Sequence, residues 1–232
     1  LLLSLLLFPI TLYYFSPALI IQGSAQGIIT GSFIVFGLMF VTAFFLGRLW
    51  CGWACPAGAL QEIAMPINHR RAPRRRIRWI KWAIWLPWIA LIAVMAVQAG
   101  GYTTVAPTYQ IDGGLTLLQA DTPWFFVYYV ILALFLFPAI ILGRRSACHA
   151  ICWMAPFMIL GRKVRNFLRW PALRLTADGA ACIDCQRCTG TCPMSLEVND
   201  LVHQETMEHG DCILCGNCVD VCPKDVIHYT FS

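Results

Sequence analysis

The stretch LGRRSACHAIC, residues 142–152, ends a long apolar run and then sets two cysteines four apart, Cys148 and Cys152. Nearly the same phrase closes an earlier apolar run: LGRLWCGWAC, residues 46–55, with Cys51 and Cys55. Residues four apart share one face of a helix, so each pair presents its thiols together. Pro56 biases Cys55 away from helical geometry and places the first pair at a helix end or turn. The second pair is followed by Trp153 instead of proline, so its turn is expected to differ. Gly47 and Gly143 are 96 residues apart and Cys51 and Cys148 are 97 apart, which makes the phrase one half of an internal repeat.

Composition frames this repeat. Of 232 residues, 59% are apolar and 12% charged, against about 25% charged in ordinary soluble domains. Residues 1–47 hold no Asp, Glu, Lys or Arg, which argues for a membrane protein. Four apolar runs, 1–21, 27–46, 82–99 and 123–142, are read as long enough to span the ~30 Å of a bilayer core at about 1.5 Å per residue. Trp79, Trp82, Trp85 and Trp88 flank or enter the third, as at a membrane interface. Pro9, Pro87 and Pro138 are read as kinks within spans. Loops 22–26 and 100–122 carry no Lys or Arg, whereas 47–81 carries eight, including RRAPRRR at 70–76. By the positive-inside rule, 47–81 and everything after 142 face the cytoplasm.

The expected fold is therefore a membrane all-α domain over 1–160: four transmembrane helices as two repeated hairpins of one orientation. A basic, amphipathic linker follows over 161–175, read from GRKVRNFLRWPALR at 161–174. A small cytoplasmic, cysteine-rich domain occupies 176–232. The expected location is the inner (cytoplasmic) membrane of a prokaryote, multi-pass, with the tail on the cytoplasmic side. The sequence opens at Leu1 without Met, so a preceding segment is expected.

Charge is segregated. From Arg48 to Arg174 fifteen Lys and Arg face Glu62, Asp112 and Asp121, a net of +12; from Asp178 onward nine acids face Arg187 and Lys224, a net of −7. A basic patch is also the footprint of nucleic-acid binding. Here it flanks apolar runs, so membrane topology is the reading taken and no nucleic-acid partner is expected. The acidic tail favours a basic surface on a partner, chiefly through encounter rate.

All twelve cysteines fall in tight groups of two or four, which argues for metal ligation over a disulfide framework. The runs CIDCQRCTGTCP at 182–193 and CILCGNCVDVCP at 212–223 both read C-x2-C-x2-C-x3-C-P, the bacterial pattern for a 4Fe–4S cluster. Three thiolates come from one tight loop, and the cysteine before proline ligates the other cluster. The expected ligands are Cys182, Cys185, Cys188 and Cys222 for one cluster, and Cys212, Cys215, Cys218 and Cys192 for the second. Structural zinc is the alternative for paired C-x2-C units. Cys51, Cys55, Cys148 and Cys152 are read as one shared metal site of iron–sulfur type. Two redox dithiols, a zinc, or buried thiols acting as small hydrophobes stay open beside that reading. Glu62 and His149 are weak candidates for catalytic roles. Glu62 would take a proton from a quinol or, preferentially, pair with nearby arginines; His149 would ligate or tune the site or simply lie beside it. No apolar run contains histidine, which argues against haem in the bilayer.

GRLWCGWACPAGALQE at 47–62, CHAICWMAPFMILGRK at 148–163 and the two C-x2-C-x2-C-x3-C-P runs together resemble the membrane polyferredoxin family of NapH-, CcoG- and NosR-like proteins. The resemblance covers nearly the whole chain. It implies a transmembrane four-helix unit with Cys-x3-Cys motifs and a cytoplasmic ferredoxin domain. It also implies electron relay between a quinone pool or membrane redox centre and partner redox subunits of a respiratory complex, an oxidoreductase component of the quinol dehydrogenase type. The alternative it implies is an assembly factor that reduces copper or thiols on a respiratory enzyme.

Overall fold

The computed structural model describes residues 1–110, 123–204 and 207–232. Residues 111–122, the second half of the expected loop 100–122, lie outside them. The apolar half begins with short pieces: α1 Leu2–Leu6, α2 Phe8–Thr11, a 3-10 turn Leu12–Phe15, and α3 Pro17–Ala25. Strand β1 Ile28–Thr30 follows, then α4 Gly31–Leu46. After α4 come α5 Leu49–Trp53, α6 Pro56–Ile63, α7 Arg74–Ile77, α8 Ile80–Gln98, β2 Thr104–Ala106 and α9 Pro123–Leu142. The second copy of the opening phrase forms α10 Ser146–Ala150, and α11 Ala155–Leu168 leads out of it. The tail is bracketed by β3 Leu173–Ala177 and β4 Ile227–Phe231, paired antiparallel from Leu173 opposite Phe231 to Ala177 opposite Ile227. Between them lie α12 Arg187–Thr191, α13 Val198–His203 and α14 Asn217–Asp220.

Four transmembrane helices in two hairpins are not what forms. Among the described residues one helix, Arg75–Gln98, is long and apolar enough to cross a membrane; Gly31–Leu46 and Phe126–Leu142 are apolar but shorter. The reasons are local. Ser16 is extended before Pro17, which opens a new helix, because proline restricts the residue before it and suits a first helical turn. Residues 28–30, expected inside the second run, pair in parallel with 104–106. Thr30 then caps α4, its side chain accepting from Phe33 N, and Gly47 ends the helix at φ +57. Sixteen residues reach only about 24 Å. Pro87 and Pro138 do sit inside α8 and α9, as expected of kinks.

The long helices are apolar on both their buried and their exposed sides. On α4, Phe36, Met39 and Ala43 are buried while Ile34, Leu38, Val41 and Phe45 are exposed, so both stripes are apolar. Ile84, Leu91, Val94 and Val97 leave α8 equally apolar on its outside. Aromatic edges close the interior: Phe157 of α11 meets Phe36 and Trp85 in edge-on contacts, each with centroids 5.3 Å apart.

The repeated phrase folds alike twice. Each long apolar helix ends at a glycine of positive φ, Gly47 or Gly143 (φ +98), a conformation that glycine adopts freely. A five-residue helix follows in both copies, with Cys51 N donating to Arg48 O and Cys148 N to Arg145 O, both 3.0 Å. Beyond it the copies diverge. Cys55 caps α6 directly with Pro56 in the first turn, whereas Trp153 and Met154 intervene before α11.

The segment 161–175, expected as a basic amphipathic linker, continues α11 to Leu168 and then enters β3 at Leu173. Arg162 and Arg165 of α11 are buried and both pair with Glu208 of the tail, while Phe167 projects outward. Further charges tie the basic half to the acidic tail. Lys81 and Arg48 converge on Asp211 at 2.8 and 3.5 Å, and Arg71 pairs with Glu197 at 2.8 Å. Arg48, Lys81 and Asp211 are each at least 95% buried. Burial opposes the Asp211 carboxylate, but Lys81 and Arg48 outweigh it and hold the acid well below its usual range. Asp211→Ala would strand two buried cations, and its expected cost is on the order of 3–5 kcal/mol. Urea unfolding of the variant beside the parent measures it; equal stability would mean that the triad is screened by solvent.

Candidate functional site: three groups of four cysteines

The two copies of the repeated phrase meet. Cys51, Cys55, Cys148 and Cys152 are all buried and lie close enough for each to influence its neighbours' ionisation. Burial, then the nearby thiols, push Cys55 well up. Cys152 is pushed up to about 12 by burial and by Cys148 and Cys51. Cys148 is raised by burial, with Arg145 and a bond from Gln61 acting in the opposite direction. Such thiols stay protonated alone, and a metal that binds them must displace their protons. Four buried thiols are a donor set that an iron–sulfur centre or a zinc ion can use.

Residues that sequence reasoning did not single out hold this site. Gln61, fully buried, donates from Nε2 to Cys148 Sγ at 3.0 Å and Ala57 O at 3.0 Å, and accepts from Ala147 N at 3.1 Å. It thus ties the first copy to the second. Met158 Sδ lies 3.5 Å from Cys51 Sγ. Arg48 reaches Cys51 Sγ at 3.9 Å and Gly210 O at 3.2 Å. Arg145 donates to Cys51 O at 2.7 Å and pairs with Glu62. The one available signal was the repeated Leu-Gly-Arg. Its arginines, Arg48 and Arg144, read as markers of a membrane edge; Arg48 turns inward to Cys51, and in the second copy it is the next residue, Arg145, that does so. Glu62 is accordingly placed as an ion-pair partner of Arg145. His149 is fully buried, its Nε2 3.1 Å from Met194 O, at the join between α10 and the tail.

In the tail, the two expected ligand sets line two separate cavities. One, of about 330 Å³ with its mouth, is walled by Cys182, Cys185, Cys188 and Cys222. The other, of about 430 Å³, is walled by Cys192, Cys212, Cys215 and Cys218. In each, three cysteines come from one loop and the fourth from the Cys-Pro of the other run. Burial raises Cys188 and Cys192 and pushes Cys215 up to about 11. Among the described residues, the group of three ligand atoms lying within 4.8 Å of one another is Cys182, Asp184 and His203. No trio of cysteines is gathered that tightly, as a tetrahedral zinc with Zn–S near ~2.3 Å would require. The wider sets suit a cubane, whose thiolates sit at its corners.

The second tail cavity abuts the four-cysteine site. A Cβ on Gly52, next to Cys51, would lie 2.5 Å from Ile213 O and 3.3 Å from Cys215 Cα. Only glycine lets these backbones approach so closely. Trp53 Nε1 donates to Leu214 O at 2.9 Å, clamping the same two loops.

Comparison with known proteins finds two 4Fe–4S families along the chain. The family described as "4Fe-4S binding domain" matches residues 28–78, and that described as "4Fe-4S dicluster domain" matches residues 181–227. Protein RdxA of Cereibacter sphaeroides is 26% identical over 216 residues, 84% of this chain and 44% of RdxA. The ferredoxin-type protein NapH of Escherichia coli is 26% identical over 231 residues, 92% of this chain and 74% of NapH. The methylamine utilization ferredoxin-type protein MauN of Methylobacillus flagellatus is 29% identical over 191 residues, 77% and 62% of the two chains. The chain thus spans less than two thirds of RdxA and of MauN. No solved structure matches it.

Gln61→Leu tests how the four-cysteine site is held. It removes the acceptor for Ala147 N and the donor to Cys148, at an expected cost on the order of 1–3 kcal/mol. Thermal melting of the two proteins measures that cost. Tail cavities lie outside its contacts, so their metal content stays unchanged; a variant as stable as its parent would show that Gln61 does not join the copies.

Proposed function

We propose, from its likeness to ferredoxin-type iron–sulfur proteins, that the chain is a membrane-bound relay with three centres in line. Cys182, Cys185, Cys188 and Cys222 hold one 4Fe–4S cluster, and Cys192, Cys212, Cys215 and Cys218 hold the second. Cys51, Cys55, Cys148 and Cys152 share a third. Bound clusters supply one-electron chemistry; the residues around them set burial, charge and distance. The observation that carries this reading is the close approach of Gly52 to Cys215, which leaves no side chain between the loops of the membrane-side site and the second tail cluster.

The relay has two ends. At one, Cys185 is exposed beside exposed Ile183, suited to a partner redox subunit. At the other, the four-cysteine site exchanges electrons with a quinone or another membrane redox centre. Arg75–Gln98 supplies the membrane attachment, and the basic run at 70–78 before it argues for the cysteine sites on the cytoplasmic side of a prokaryotic inner membrane.

The test is a redox titration of the full chain by electron paramagnetic resonance, with iron and sulfide counts. Three centres, equivalent to about twelve irons per chain, are expected. Cys148→Ser should remove one signal and leave the two tail signals intact. Two centres in the parent protein would overturn the shared site; loss of every signal in the variant would assign Cys148 to folding.

A further inference from the structure

A polar cavity that the relay does not use opens where the chain enters Arg75–Gln98, its membrane-length helix. It measures about 800 Å³ with its mouth and lies between the start of α8, α11 and the tail at residues 209–211. Arg78, Lys81 and Lys163 line it beside Trp79 and Trp82, and Asp211 is the one carboxylate among its described lining residues. That carboxylate is already engaged by Lys81 and by Arg48. Glu208, close by in sequence, is held by Arg162 and Arg165. Arg78 and Lys163 are exposed, and among the described residues neither has an acidic partner. Lys163 Nζ instead stands over the Trp82 ring, 6.0 Å from its centroid. Counting Arg48, four cations face one carboxylate, a net of +3. Such a wall attracts an anion, and arginine and lysine donate charge-assisted bonds to phosphate oxygens.

An apolar chamber adjoins this cavity along the same two helices. It measures about 840 Å³ with its open side, and its walls include Phe36, Phe40, Trp85, Phe157 and Leu160. One turn of α8 leads from Trp82 in the cavity to Trp85 in the chamber, and the two rings meet edge-on with centroids 5.8 Å apart. On α11 the same step leads from Lys163 to Leu160. From Lys81 to Ile92 in the chamber wall, α8 rises about 16 Å, close to half the ~30 Å hydrocarbon core of a bilayer. A basic, tryptophan-edged cavity above an apolar slot one leaflet deep matches the two ends of a lipid. A free anion would leave the slot empty, and a lipid without net charge would leave the cations unanswered.

We propose that an anionic phospholipid occupies these two spaces, its phosphate held by Arg78 and Lys163 and one acyl chain lying in the chamber. The site rests on the reading that α8 lies in a membrane and is independent of the third centre. Binding forms and breaks no covalent bond.

The test uses delipidated full chain in an uncharged detergent, titrated with brominated phosphatidylglycerol or brominated phosphatidylcholine. Trp82, Trp85 and Trp88 line the two spaces, so a bound brominated chain quenches their fluorescence. Phosphatidylglycerol should bind about tenfold more tightly than phosphatidylcholine, and Arg78→Gln with Lys163→Gln should abolish that preference. Arg75→Gln with Arg76→Gln removes equal charge from exposed residues outside the cavity and should retain it. Gly37 lines the chamber, and a Cβ there would meet nothing within 4 Å. Gly37→Leu should therefore fold, fill the slot and weaken both lipids.

Equal binding of the two lipids by the parent overturns the site. Equal loss of preference in the two double variants would assign it to the diffuse field of the basic run, and inorganic phosphate binding as tightly as the lipid would make it a free-anion site. Full affinity in Gly37→Leu would remove the acyl chain from the chamber. Flotation with phosphatidylcholine vesicles checks the membrane reading separately. A chain that floats without preferring phosphatidylglycerol sinks the site alone; one that keeps the preference in micelles but does not float sinks the membrane reading alone.

Discussion

Arg48 is the side chain on which both halves of the molecule depend. Its guanidinium touches Cys51 Sγ, the Gly210 carbonyl and Asp211 at once. It is 99% buried, so its charge is tolerable only with anions close by. Burial disfavours its charge, yet Cys51 and Asp211 outweigh burial and raise its pKa. The arginine thus needs both the tail carboxylate and the thiol site, and each in turn needs the arginine. Docking of the tail and formation of the four-cysteine pocket are coupled through this one residue.

The same economy of contact recurs around the pocket. Arg145 joins Cys51 O to Glu62, Gln61 joins Cys148 to the Ala147 amide, and His149 reaches Met194, two residues beyond Cys192. Each link crosses from one copy of the repeat to the other, or from the repeat to the tail. A rigid frame of this kind fixes distances between centres, which matters for electron passage more than any single bond energy.

How much of this was legible in the sequence follows from how local each feature is. The grouping of the tail cysteines was readable because a C-x2-C-x2-C loop folds on itself, and the cavities at residues 182–188 and 212–218 each draw in the distant cysteine before proline. The repeated Leu-Gly-Arg phrase was readable for the same reason: a glycine-ended helix followed by one short turn is a local structure. Span lengths were not. Hydropathy does not register that Pro17 restarts a helix or that Ile28–Thr30 finds a partner strand near Thr104, since that pairing is made by chain 76 residues away. Gln61 was invisible too; an uncharged side chain in a short helix gives no sign of the thiol it meets until the second copy is in place.

Charge segregation also changes meaning once the tail is docked. Nine acids against two bases suggested a surface built for a basic partner, but Glu197, Glu208 and Asp211 are engaged by Arg71, Arg162, Arg165, Arg48 and Lys81 of the same chain. Much of the asymmetry is therefore internal adhesive. On the loop that supplies the first tail cavity, exposed Asp184 pairs with His203 and Asn199. Hydrogen bonds from Asn199 and His203 favour its ionised form and lower its pKa. That anion stands between exposed Cys185 and exposed Ile183, which sets charge, an apolar side chain and an exposed cysteine at one place. The internal ion pairs thus account for Glu197, Glu208 and Asp211, and the exposed Asp184 carboxylate lies outside that set.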